Sequence, residues 1–247
     1  MTSKIVDVHF VTMMNLFGGE MKDKFTSDVV PLRDTFVSVT LSEEKILKVK
    51  RFVQQLIQAK IKERHHIRDP YNEEKRWTTG FGGEAACEKL LNLNIIDWTI
   101  GKSSKYHVSD LNPTHNLGIK TVEWGKFHVI FRRSKDPQIL VFKMTDREYL
   151  ICGIASIDIL NKHQDLNLIL SPSLRAKGTK TAFTGYNHIK TIHKKDDIKQ
   201  YSLEYIKERA FLDSLSPEPK MVRKKPDLNK LPIWCFEIQR VKSDIKR

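Results

Sequence analysis

Asp110-Leu111-Asn112-Pro113-Thr114-His115-Asn116-Leu117-Gly118-Ile119-Lys120-Thr121 is the stretch whose reading decides the fold. Lys120 sits inside Gly118–Trp124, a run rich in β-branched residues that predicts a strand. Asp110 stands ahead of the Asn112-Pro113 breaker, and Glu84 lies upstream on a predicted helix. A carboxylate and a backbone carbonyl are hard oxygen donors suited to Mg²⁺, and a lysine beside an attacking water suits hydrolysis of a phosphodiester. Each residue also fits a plainer role. Asp110 suits the start of a turn, Lys120 a solvent-facing strand position, and Glu84 the positive end of a helix, where a negative charge contributes about 0.3–1 kcal/mol.

The whole chain has 247 residues, enough for one large domain or a domain with a small appendage. Lys and Arg number 43 against 30 Asp and Glu, a net charge of +13, which favours a polyanionic partner through counterion release and steering. From Ser171 onward 18 basic residues face 9 acidic ones, so phosphate contacts are expected chiefly in the C-terminal third. The three cysteines, Cys87, Cys152 and Cys235, have neither disulfide-framework nor zinc-knuckle spacing. Asp7 and His9 interrupt the apolar N-terminus, and no apolar run approaches the ~18 residues of a membrane span. These features predict a reduced, soluble, cytoplasmic protein with no membrane partner.

Along the chain, residues 4–11 read as an opening strand. Thr40 and Glu43 offer a capping box for a helix running to about Arg64, with Ile46, Leu47, Val49, Phe52, Val53, Leu56, Ile57 and Ile61 at three- and four-residue steps. Residues 65–82 read as polar and turn-rich, ending in Gly80-Phe81-Gly82-Gly83, with a second helix from Glu84 to Asn92. Strands are predicted at 95–100, 105–108, 118–124, 127–132, 139–144 and 149–154, and a helix from Ser156 to His163. A basic Ser/Thr/Gly-bearing stretch occupies 171–195, a further helix 202–215, and a closing strand 233–238. Two helices, clustered strands and another helix imply an α/β domain with a central mixed sheet flanked by helices.

Gly82-Gly83-Glu84-Ala85-Ala86, then Ser109-Asp110-Leu111, then Gly118-Ile119-Lys120-Thr121 resemble, in that order, the motifs of the PD-(D/E)XK nuclease superfamily, found among restriction enzymes, resolvases and phage nucleases. The resemblance covers roughly residues 41–170. It implies a restriction-endonuclease-like core at 41–170, an N-terminal extension at 1–40 and a basic DNA-contacting region at 171–247. It further implies that Asp110 is the principal metal ligand, that the Ile119 carbonyl supplies a second oxygen, and that Lys120 positions the water and stabilises charge on phosphorus. Glu84 matches the additional acid that the family often carries. One departure stands out: the position two before the lysine, an acid in the family, is Gly118. Either Glu84 or Glu123 is offered as the replacement, and Glu123 would need a bulge near Val122, because strand alternation turns residue 123 away from the face shared by 118 and 120.

The implied activity is a Mg²⁺-dependent DNA endonuclease, with Mn²⁺ able to substitute, of restriction or phage type, in a prokaryotic or phage setting. Double-stranded DNA is the expected partner and a homodimer the expected assembly for cutting both strands. A junction resolvase-like nuclease, a DNA-binding protein that kept the fold without catalysis, and an RNA-binding protein are the alternatives. Arg132, Arg133, Arg175, Lys177, Lys180, Lys194 and Lys195 are the candidate phosphate contacts, joined in sequence by Arg223–Lys225. The glycine-rich 80–83 lacks the Gly-Lys-Ser/Thr of a phosphate-binding loop, so no nucleotide cofactor is expected.

Overall fold

The apolar stripe of the first predicted helix becomes the buried side of α2 (Glu43–Lys62), where Ile46, Val49, Phe52, Val53 and Leu56 all lie in the core. The computed structural model describes residues 19, 21–62, 70–100, 117–169 and 171–201, all within one compact unit, Met1–Leu203. The strands predicted at 4–11, 105–108 and 233–238, the helix at 202–215, and Asp110 lie outside the described residues.

Helix α1 (21–28) leads through a 3-10 turn, Val30–Thr35, into β1 (Val37–Thr40). The cap of α2 falls two residues later than expected. Ser42 Oγ accepts the Lys45 N–H at 3.3 Å and the Ser42 carbonyl accepts the Ile46 N–H, while Thr40 ends β1. The larger correction concerns 65–82. Helix α3 begins at Pro70 and runs through the glycines to Leu91, so the helix expected from Glu84 is only its C-terminal part. Glycine costs about 1 kcal/mol per site relative to alanine inside a helix. Here the cost is offset by closeness: a Cβ on Gly82 would collide with the Tyr149 phenol, and one on Gly83 with the Thr121 hydroxyl. The glycines let the α3 backbone rest on the sheet.

That sheet is mixed, with order β1-β5-β4-β2. β2 (Gly118–Glu123) pairs parallel with β4 (Gln138–Lys143), and β4 and β1 both pair antiparallel with β5 (Glu148–Ala155). A parallel pair demands a long crossover. Residues 124–137 provide it, and on the way they form β3 (Val129–Phe131), the first strand of a second sheet ordered β3-β7-β6. Its partners come later, after α4 (Ile157–Lys162): β6 (Gln164–Asp165), then β7 (Lys180–Phe183), which follows α5 (Pro172–Lys177). Both sheets therefore take strands from outside the span 41–170. Residues 95–100 form no strand; instead the Glu88 carboxylate accepts the Ile95 and Ile96 N–H groups, each at 2.9 Å.

One face of the large sheet meets α3, and the other is covered by the small sheet and α1. Phe142 lies at the centre of that second layer, fully buried, with ring centroids of Trp124 at 5.1 Å, Phe25 at 5.6 Å and Tyr186 at 5.5 Å. α3 is bound to its neighbours by the Lys45–Glu88 ion pair at 2.5 Å, by the Lys89 ammonium donating to the Thr40 carbonyl at 2.6 Å, and by the Phe52–Phe81 edge contact at 5.1 Å. No described helix is long and apolar enough to cross a membrane.

Gly80 and Gly83 of α3 separate cleanly by substitution. Gly80 has nothing within 4 Å of an added Cβ, so Gly80→Ala should raise unfolding stability by about 0.5–1 kcal/mol. Gly83→Ala should lower it by about 1–3 kcal/mol through overpacking against Thr121. Urea midpoints moving in the same direction for both variants would contradict this account of the α3–sheet contact.

Candidate nucleic-acid interface

The alternation of β2 sorts the predicted site residues onto two faces. Thr121 meets Gly83, so α3 lies on the face of Ile119, Thr121 and Glu123, while Gly118, Lys120 and Val122 face the other way. β2 pairs with β4 without interruption from Gly118 to Glu123, so the bulge near Val122 that would turn Glu123 inward is not there. Glu123 stays on the α3 side, bound to Lys75 at 2.7 Å and Lys126 at 2.5 Å. Hydrogen bonds from these two lysines, Lys126 foremost, hold its carboxyl below the usual carboxylate range. Glu84 follows Gly83 on α3 and belongs to the same side.

Across the sheet from these acids, the space a side chain at position 118 would take is filled by Gln138. These two residues are register partners, and a Cβ on Gly118 would stand 2.5 Å from Gln138 Oε1. Gln138 Nε2 donates to the Asp136 carbonyl at 3.3 Å, whereas Oε1 is buried without a hydrogen-bond partner. A neutral carboxamide thus occupies the space beside Gly118. Among the described residues no three His, Cys, Asp or Glu side chains come together as a metal-holding group. The described acids and Lys120 therefore do not fit a Mg²⁺ site, since Glu84 and Glu123 lie behind the sheet from the lysine.

What does act on Lys180, with Lys120 among its sources, is positive charge. Lys120 is exposed on β2. Lys180, the first residue of β7, has its ammonium pKa lowered, first by partial burial and then by the charges of Lys120, Arg76 and Lys177, in that order. Each of these cations comes from a different element. Arg76 is on α3, where it pairs with Glu73 at 2.5 Å and sits 5.8 Å from the Trp77 ring. Lys177 ends α5, whose following residue, Gly178, adopts the left-handed φ of +63° that closes the helix. Arg175 is in the same last turn. Arg132 and Arg133 are exposed just after β3, and the Arg132 N–H donates to the Thr179 carbonyl at 3.0 Å, beside Lys180. Lys194 and Lys195 are exposed near Asp197, whose carboxylate accepts the His193 and Lys194 N–H groups.

Of the predicted phosphate contacts, Lys177 and Lys180 thus act on each other, together with the predicted catalytic Lys120 and with Arg76, which lies in the 65–82 stretch that reads as loop in sequence. Pro70, suited to a first helical turn, was the available signal.

His128 fixes this arrangement from within. It is fully buried; Nε2–H donates to the Val141 carbonyl at 2.9 Å, and Nδ1 accepts from the Tyr186 hydroxyl at 2.8 Å. The same hydroxyl accepts the His128 N–H at 3.2 Å, and the Lys120 carbonyl also faces the ring. The imidazole joins the small sheet to the strands bearing Lys120 and Val141. Burial lowers its pKa to about 4, so the ring is neutral at pH 7.

Comparison of the chain with protein-family models, with curated proteins and with solved structures returned no match.

The histidine makes stability pH-dependent in a defined direction. Its folded pKa lies below the unfolded 6.5, so the unfolded chain binds the extra proton first, and the contribution present above pH 6.5 is lost as pH falls toward 4. Between pH 7.5 and 5 the loss should be about 2 kcal/mol. His128→Gln should be less stable than the parent at pH 7.5 and should lack that decline. Parallel stability–pH curves from chemical denaturation would show that the buried ring is not its source.

Proposed function

We propose that the protein binds DNA through the face bearing Lys120, Lys180, Arg76 and Lys177. The carrying observation is that Lys180, the register partner of the exposed Phe131, feels the charges of three cations from three other elements, Lys120, Arg76 and Lys177. Such a cluster is self-repelling in the free protein. A phosphate backbone relieves it while releasing condensed counterions, which makes binding favourable and salt-sensitive. Arg132, Arg133 and Arg175 lie on segments adjoining Lys180 and extend the positive surface. On this reading the mixed sheet with α3 on one face is a restriction-endonuclease-like core.

A catalytic reading, a Mg²⁺-dependent endonuclease with Mn²⁺ as substitute, is favoured by one further observation. The exposed Lys120 shares its sheet face with the unpartnered Gln138 oxygen. It requires Asp110 to bring a carboxylate to the lysine, because Glu84 and Glu123 are on the α3 side. Cutting both strands would call for a homodimer.

Anisotropy titrations of a labelled DNA duplex against KCl concentration test the binding. The parent should lose affinity steeply with salt, and Lys120→Ala and Lys180→Ala should each reduce the log–log slope by about 0.9. An unchanged slope in both would remove this face from the interface. Plasmid digestion with and without Mg²⁺ then separates the two readings. Nicking abolished by Asp110→Ala and by Lys120→Ala supports the nuclease, whereas salt-sensitive binding with intact plasmid supports a non-catalytic binder.

A further inference from the structure

Resting on the basic face just proposed, we propose that Phe131 is a stacking platform for an unpaired nucleobase, so that this face takes single-stranded nucleic acid, or a duplex with an unpaired base, in preference to uniform duplex.

Phe131 is 56% exposed, more than any other large hydrophobic residue described. Its exposure follows from strand geometry: in β3 the preceding Ile130 is 2% exposed and points into the core, which sends Phe131 outward. The residue is also held in place. It is the register partner of Lys180, its carbonyl accepts the Ser134 hydroxyl at 3.1 Å, and the next N–H, that of Arg132, is bound to Thr179. A ring fixed on a paired strand needs little ordering on binding, which favours its use as a platform.

The charge around the ring selects the ligand. The Lys180 ammonium lies 5.4 Å from the ring centroid, and Lys180 is the residue on which Lys120, Arg76 and Lys177 act. Arg132 and Arg133 follow Phe131 directly in sequence. An exposed aromatic among cations matches an unpaired nucleotide in both of its parts, because the base offers a π-face to the ring and the phosphates meet the ammonium groups. In an intact duplex the bases are stacked on each other, and their faces cannot reach Phe131 without unpairing. Carboxylate-rich proteins would satisfy the charges but leave the ring bare.

The test is anisotropy of labelled oligo(dT) and of a blunt duplex of equal length, with the full chain and three variants. The parent should bind oligo(dT) more tightly than duplex. Phe131→Ala should weaken oligo(dT) binding by about five- to a hundred-fold with the salt slope unchanged, and should shift duplex affinity by less than about two-fold. Phe131→Trp should restore oligo(dT) affinity, with its indole emission quenched on binding. Lys180→Ala should weaken both ligands and lower the slope for both. Phe131→Ala binding oligo(dT) like the parent, or losing both ligands equally, overturns the stacking proposal while the basic face stands. A parent that binds neither oligonucleotide overturns both.

Discussion

The close approach of α3 to the sheet at Gly83 and Thr121 is the constraint on which the rest depends. With no side chain between backbone and strand, the helix lies directly over β2, and its direction is fixed again by Gly82 against Tyr149 of β5. Seven residues earlier, about 10 Å along the axis, Arg76 is carried to where its charge acts on Lys180. The same contact draws Lys75 to Glu123 and so neutralises the acid on the helix side. Sheet alternation does the rest, turning Glu123 toward α3 and Lys120 to the opposite face.

A face of like charges is unfavourable by itself and must be held by structure that tolerates the repulsion. Lys120 belongs to a strand paired over its length with β4, and Lys180 to one paired with β3. The neutral His128 ties these two sheets together by hydrogen bonds, in a setting whose burial disfavours the charged ring. The stability held in the aromatic layer around Phe142 and in this buried histidine offsets the electrostatic cost at the surface. Low pH weakens the fold just where the cations converge.

Much of this was legible in the sequence. α2 announces itself by apolar spacing, and β4 and β5 by apolar runs between turns, because burial of one face or both leaves a periodic trace. The parity that turns residue 123 away from residue 120 was also readable, and the unbroken β2–β4 pairing makes it decisive. The Gly80–Gly83 segment misled because helix propensity is local, whereas the benefit of glycine there lies in a contact with Thr121, some forty residues on. Residues 95–100 have strand-like composition but find the Glu88 carboxylate instead of a neighbouring strand. Gln138 escaped notice for a related reason: only the parallel register sets it beside Gly118. The action of Arg76 on Lys180 likewise depends on how a helix lies against the sheets, which no linear pattern records.

Gly153, with φ of +134° in β5, sits against the Lys190 carbonyl so tightly that no side chain fits, and Ile154 and Lys190 exchange backbone hydrogen bonds at 2.8 and 3.0 Å. β1 pairs with β5 only as far as Ile151, so two segments from opposite ends of the described chain share the β5 margin. Peeling either one away would bare ladder donors and acceptors to any passing strand. The β5 margin is therefore closed by a two-part hem, and a side chain at Gly153 would push against the Lys190 carbonyl that forms half of it.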